Sequence, residues 1–160
     1  MNRRFFLQSS LVVGAAPLLM ALTPQPMPQT WVPGHVQNND PNWSVLNGAE
    51  VAVDEARGVM TAQFTDAIRG LQGRALTIGG FLMPLDANAQ FTHFVLTRRN
   101  ASCPFCPPNL PTEAIEVFAA QPLEYGPDEY SVSGALQLAQ ASADGLFYRI
   151  SNASVRVVPA

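Results

Sequence analysis

Lysine is missing from this chain altogether, and cysteine and histidine are represented by only two residues each. Nine arginines against twelve carboxylates leave a formal net charge of −3, a balance that repels a phosphate backbone rather than gathering on it. Nucleic acid and anionic membrane surfaces are therefore poor partners. Also absent is an apolar run long enough to cross a bilayer. The stretch from Leu11 to Leu22 carries no charge but covers only about twelve residues, where a hydrocarbon core of ~30 Å needs about twenty at 1.5 Å each. No cysteine lies close behind it, which argues against a lipid-anchored N-terminus. There is no internal repeat, and no second Cys-x-x-Cys or histidine pair that would complete a structural zinc site.

What is present at the start is informative. Arg3-Arg4 is followed by Phe5-Phe6-Leu7, then by the short apolar stretch, then by polar, proline-rich sequence. That order reads as an export signal of the twin-arginine (Tat) type over residues 1–29, which places the mature chain in the periplasm with no stable membrane span. An N-terminal anchor or a buried helix is the competing reading. Residues 30–42 carry prolines and no apolar periodicity, as expected of a tether or an N-terminal arm laid over the domain, and His35 falls inside it. Residues 43–160 are expected to form a single β domain, beginning near Trp43, whose large apolar ring needs a pocket. Without the signal the net charge moves to about −5, and roughly 130 residues remain, a usual size for one domain.

Beyond Trp43 the pattern is mostly of period two. "VMTAQF" (59–64) alternates, and "TDAIRGL" (65–71) fits one short helix capped by Thr65 or Asp66 and ended by Gly73. "ALTIGGFLMPL" (75–85) reads as a long strand with a bulge or sharp bend at Gly79-Gly80. "QFTHFVLTR" (90–98), "AIEVFAA" (114–120), "YSVSGALQLAQ" (130–140) and "LFYRISNASVRVV" (146–158) supply four more. Five strands coiled by glycines predict a mainly β fold, a small OB-like antiparallel barrel with one short helix, with an open β-sandwich as the alternative.

Both cysteines sit in "NASCPFCPP" (100–108), between the second and third of these strands. Cys-Pro-x-Cys is a spacing used by thiol oxidoreductases, in which the first cysteine opens a helix whose dipole lowers its pKa. Here Pro107 would occupy the fourth helical position without the amide that position needs, Pro108 and Pro111 follow, and the next segment reads as a strand. A disulfide across so small a loop gains little from chain entropy. Two thiolates two residues apart can instead grip one soft or borderline ion from a turn that the prolines pre-order. Two ligands do not complete a shell. His93, on the strand before the loop, is the nearest candidate third ligand, and by alternation it shares a face with Phe91 and Val95. Met60 and Met83 are possible thioether donors to copper(I), although a methionine in a strand usually fills core. Asp86, Glu113 and Glu116 read as solvated charges. Arg98 and Arg99 would favour thiolates if they lie close, which serves metal and redox chemistry alike.

Taken together, "LQGRALTIGGFLMPLD", "FTHFVLTRRNASCPFCPPNLPTEAIEVF", "VSGALQL" and "GLFYRISNASVRV" resemble a bacterial family of small exported proteins known only as a domain of unknown function. The likeness runs from about Trp43 to Val157. That family is often encoded beside ABC-type transporter components that respond to metal supply, so the resemblance implies metal handling in the periplasm. Cys106 stands where many relatives carry histidine, and the exchange suits zinc ligation better than disulfide chemistry. The expected function is thus a non-enzymatic periplasmic protein that binds or delivers zinc or copper through Cys103, Cys106 and His93, accessory to an envelope transporter or another periplasmic protein. The alternatives are an OB-like interaction module whose cysteines form a structural disulfide, and a thiol-disulfide oxidoreductase.

Overall fold

A computed structural model describes residues 37–100 and 110–158. The export signal expected over 1–29, the first part of the arm with His35, and both Cys103 and Cys106 lie outside the described residues.

The described chain starts by docking rather than by hanging free. Gln37 bridges Arg99, Asn38 N–H donates to the Arg98 carbonyl at 2.9 Å, and the Asp40 carboxylate accepts from Gly79 N–H at 3.0 Å. Asp40 also caps helix α1 (Pro41–Leu46), accepting from Asn42 N–H at 2.9 Å, with Pro41 in the first turn where its missing amide costs nothing. The helix buries Trp43 and Leu46 completely, and the Trp43 indole finds its partner in the Gly79 carbonyl at 2.7 Å. Strands β1 (Glu50–Asp54) and β2 (Val59–Gln63) form a hairpin. Helix α2 (Asp66–Arg69) follows, capped by Thr65, whose hydroxyl accepts from Ile68 N–H at 3.3 Å. The sequence predicts one helix, and the described residues hold two α-helices, because Asp40 and Pro41 turn the end of the proline-rich segment into a helix start.

Five longer strands build the barrel: β3 (Ala75–Pro84), β4 (Phe91–Thr97), β5 (Ala114–Leu123), β6 (Glu129–Leu138) and β8 (Tyr148–Val158), with the two-residue β7 (Ala141–Ser142) between the last two. Round the barrel the order is β3-β4-β5-β8-β6, closing back on β3, while β1, β2 and β7 make a separate three-stranded sheet. This is the OB-like barrel expected, and its closure removes the open sandwich. One correction is needed: β5 and β8 run parallel, so the barrel is mixed rather than antiparallel. Parity requires this, because direction cannot alternate all the way round a closed ring of five.

The Gly79-Gly80 pair is not a bulge. β3 stays in register with β6 from Ala75 to Phe81 and then with β4 from Phe81 to Pro84, so the strand passes from one neighbour to the other there. At Gly80 a Cβ would lie 2.6 Å from the Thr97 carbonyl oxygen, which is why a side chain is excluded. Register shifts occur instead on β4 between Phe91 and His93, on β5 between Val117 and Ala119, and on β6 between Ser133 and Ala135. Inside the barrel lie Ile78, Phe94, Leu96, Ile115, Val132, Leu136 and Ile150, joined by Trp43, Leu46 and Ile68 from the two helices. Each such side chain contributes about 1.5–3 kcal/mol on burial. Tyr148 ties the last strand to α1, its hydroxyl donating to the Leu46 carbonyl at 2.7 Å. No helix among the described residues is long and apolar enough to cross a membrane.

Candidate functional site

The bulge at the start of β4 decides where His93 sits. Simple alternation puts Phe91, His93 and Val95 on one face, but the register shift between Phe91 and His93 sends Phe91 into the core beside Phe94 and leaves His93 on the outer face, its side chain 41% exposed. On β5 the buried Ile115 and Val117 alternate with Glu116 and Phe118, which therefore face outward beside it. His93 pairs directly with Phe118 across the strands, and the rings stack with centroids 4.2 Å apart and planes within 8°. His93 Nε2 lies 3.0 Å from Glu116 Oε1. The other oxygen, Oε2, accepts from Arg149 Nε on β8 at 2.7 Å, and the Arg149 guanidinium lies 5.6 Å from the centre of the Phe118 ring. Three neighbouring strands thus supply an imidazole, a carboxylate and a guanidinium in line.

Glu116 is not the solvated charge that sequence reading makes it. Glu116 thus engages both of its oxygens, and in the tautomer that carries its proton on Nε2, His93 donates to Oε1. The free lone pair then belongs to Nδ1, which makes no hydrogen bond among the described residues. A carboxylate holding one imidazole nitrogen so that the other can bind an ion is the usual support of a metal-ligating histidine.

His93 and Glu116 line a groove of about 460 Å³, within the range of small-ligand sites. Met60, Met83, Val95, Pro111 and the Asp144–Leu146 segment line it with them. Met60 and Met83 are both only partly buried, and Met60 packs against the core as well as lining the groove. In the barrel's own order β4 and β5 are the second and third strands, the face on which OB folds commonly take ligands.

A second cluster closes the base of the cysteine loop. Arg98 and Arg99 leave β4, and Glu113 ends the 3-10 turn Pro111–Glu113 that leads into β5. Arg98 Nη1 donates to Glu113 Oε1 at 3.1 Å, and Arg99 Nε lies 3.1 Å from Oε2 without the alignment of a hydrogen bond. The Glu113 side chain is only 3% exposed. The expectation of a solvated Glu113 is therefore corrected, and the charge that the two arginines would offer to thiolates is partly met by this carboxylate. Asp86 is an exposed turn residue, accepting from Asn88 N–H at 3.0 Å. Among the described residues no three of His, Cys, Asp and Glu gather closely enough to hold a metal. Of Cys103, Cys106 and His93 only His93 falls within the described residues, together with the possible thioether donors Met60 and Met83. Glu116 could have been singled out from its alternation with buried Ile115 and Val117. Arg149 could not, because it joins Glu116 from 33 residues away.

An OB-like barrel with an imidazole–carboxylate groove on its second and third strands is the class that fold and site define. No family model and no curated protein matches the chain. Among solved structures it is similar to the crystal structure of a DUF3299 family protein, a domain of unknown function, from Pseudomonas aeruginosa PAO1. The match covers 62% of this chain and 68% of that one at 20% identity, with a TM-score of 0.51. At that identity the likeness is one of fold.

Proposed function

We propose that this is an exported, periplasmic metal-binding protein that holds zinc or copper through Cys103, Cys106 and His93 and delivers it as an accessory to an envelope transport system. The observation that carries the reading is the fixing of His93: Glu116 holds its Nε2 at 3.0 Å, which leaves Nδ1 with the lone pair that a metal needs. Two further features support it. Pro111, where the chain returns from the cysteine loop, borders the same groove as His93. The element that follows at Pro111 is a 3-10 turn and then a strand, in keeping with the prolines of the loop, which disfavour a redox helix. The sequence resemblance to exported domains encoded beside metal-linked transporters supports the same reading.

The interaction-module alternative has one observation in its favour: β1 is an outer strand of the small sheet, and Val53 on it is 68% exposed. Native mass spectrometry of protein purified from its own envelope separates the readings. A retained zinc or copper ion supports metal binding. A mass two hydrogens short with no ion supports a structural disulfide and removes the proposal.

A further inference from the structure

The groove contains two residues that the thiolate reading leaves idle, Met60 and Met83, and their placement suits one chemistry. Met83 on β3 stands directly opposite Val95 on β4, and His93 lies two residues along from Val95. Met83 and His93 are therefore diagonal neighbours, with backbones about 7–8 Å apart. Both side chains line the same groove. Met60 arrives from the other sheet, on β2. Its sulfur lies against Gly145, where an added Cβ would sit 3.2 Å from Sδ, and Gly145 itself has φ +73°. The glycine is thus required by the turn, and it leaves the thioether room at the groove wall.

We infer that this groove is itself a site for monovalent copper, bound by the Met60 and Met83 thioethers and His93 Nδ1, and that it works without the cysteines. The inference rests on the metal-binding reading for the role of His93 and deepens it by naming the ion. Two thioethers and an imidazole make an uncharged, soft donor set, which favours copper(I) and offers little to zinc, calcium or magnesium. Glu116 and Phe118 fix the imidazole by hydrogen bond and by stacking, so little ring freedom is lost on binding. Asp144 is the other carboxylate on the groove's lining beside Glu116, and its negative charge favours entry of a cation. The groove opens to solvent, and its wall of Leu146, Val95 and Leu85 gives a soft ion a weakly hydrating environment.

The test is a copper(I) titration of the full chain carrying Cys103→Ser and Cys106→Ser, under anaerobic reducing conditions, against a chromophoric copper(I) chelator. One equivalent should bind, and Met83→Leu or His93→Gln in that background should each weaken it by about tenfold or more. Methyl-labelled methionine provides a second readout on an unaltered groove. Silver(I), as a redox-inert stand-in, should shift the methyl resonances of Met60 and Met83. Copper bound only when the cysteines are present would overturn this inference while leaving the thiolate reading standing. A cysteine-free chain that binds copper with no effect of Met83→Leu and no shift at either methyl would overturn it as well.

Discussion

A histidine 3.0 Å from a carboxylate does not choose its tautomer freely, and at the scale of single residues most of the candidate site follows from that pairing. Glu116 is held in turn by Arg149, so deleting the carboxylate would free both partners. Glu113 differs because it is buried: its two arginines neutralise it, and removing one partner of a buried pair costs far more than an exposed pair contributes. Tyr148 gives the residue scale its pH dependence. Burial pushes its phenol well above the usual tyrosine range, and burial raises Tyr130 too. Above about pH 10, the unperturbed value, the unfolded chain releases these protons while the folded chain keeps them. The unfolded state then binds fewer protons, and stability falls as pH rises. Tyr148→Phe should therefore flatten the alkaline loss measured by denaturant titration at successive pH values, with a residual slope from Tyr130. At neutral pH it should cost about 1 kcal/mol for the lost bond to Leu46. An unchanged alkaline slope would show that the phenol ionises in place.

At the scale of elements, β3 carries the clearest demand on sequence. Gly80→Ala would drive its methyl against the Thr97 carbonyl at 2.6 Å, whereas at Gly79 the nearest obstruction is the Asn38 side-chain amide at 2.8 Å, which can swing away. The Gly80 variant should lose about 2–3 kcal/mol, as overpacked sites do, and the Gly79 variant distinctly less. Equal melting temperatures for the two would contradict the close approach of β3 and β4. Strand existence was legible from the sequence because the first half of "ALTIGGFLMPL" alternates as a half-buried strand does, and "FTHFVLT" carries a short aromatic and β-branched apolar run. The face of His93 was misjudged at its Phe91 end, since the register shift between Phe91 and His93 inverts alternation without altering composition. β1 (Glu50–Asp54) escaped notice because it buries almost nothing, and helix α1 because its opening residues, Asp40 and Pro41, also read as tether.

At the scale of the molecule, the closed barrel does two things for the proposed chemistry. It places β4, β5 and β8 side by side, which gathers His93, Glu116 and Arg149 from distant parts of the chain. It also returns both ends of the cysteine loop to one place, where Arg98, Arg99 and Glu113 join them. Neither arrangement was readable beforehand, because pairing order is a long-range property and the pattern of a strand does not name its neighbours. The mixed sulfur–nitrogen shell proposed above draws on one contact of this kind, Pro111 at the return from the loop lining the same groove as His93. The direct test is a zinc titration of Cys106→His and Cys106→Ser beside the unaltered protein, under reducing conditions, against a chromophoric chelator. An imidazole nitrogen reaches zinc at ~2.0–2.1 Å much as sulfur does at ~2.3 Å, so Cys106→His should keep most of the affinity. Cys106→Ser should lose roughly a hundredfold or more, because a ligand must shed its proton to bind and a hydroxyl keeps it. Equal behaviour of the two variants, or no zinc taken up by the unaltered protein, would contradict a thiolate clip.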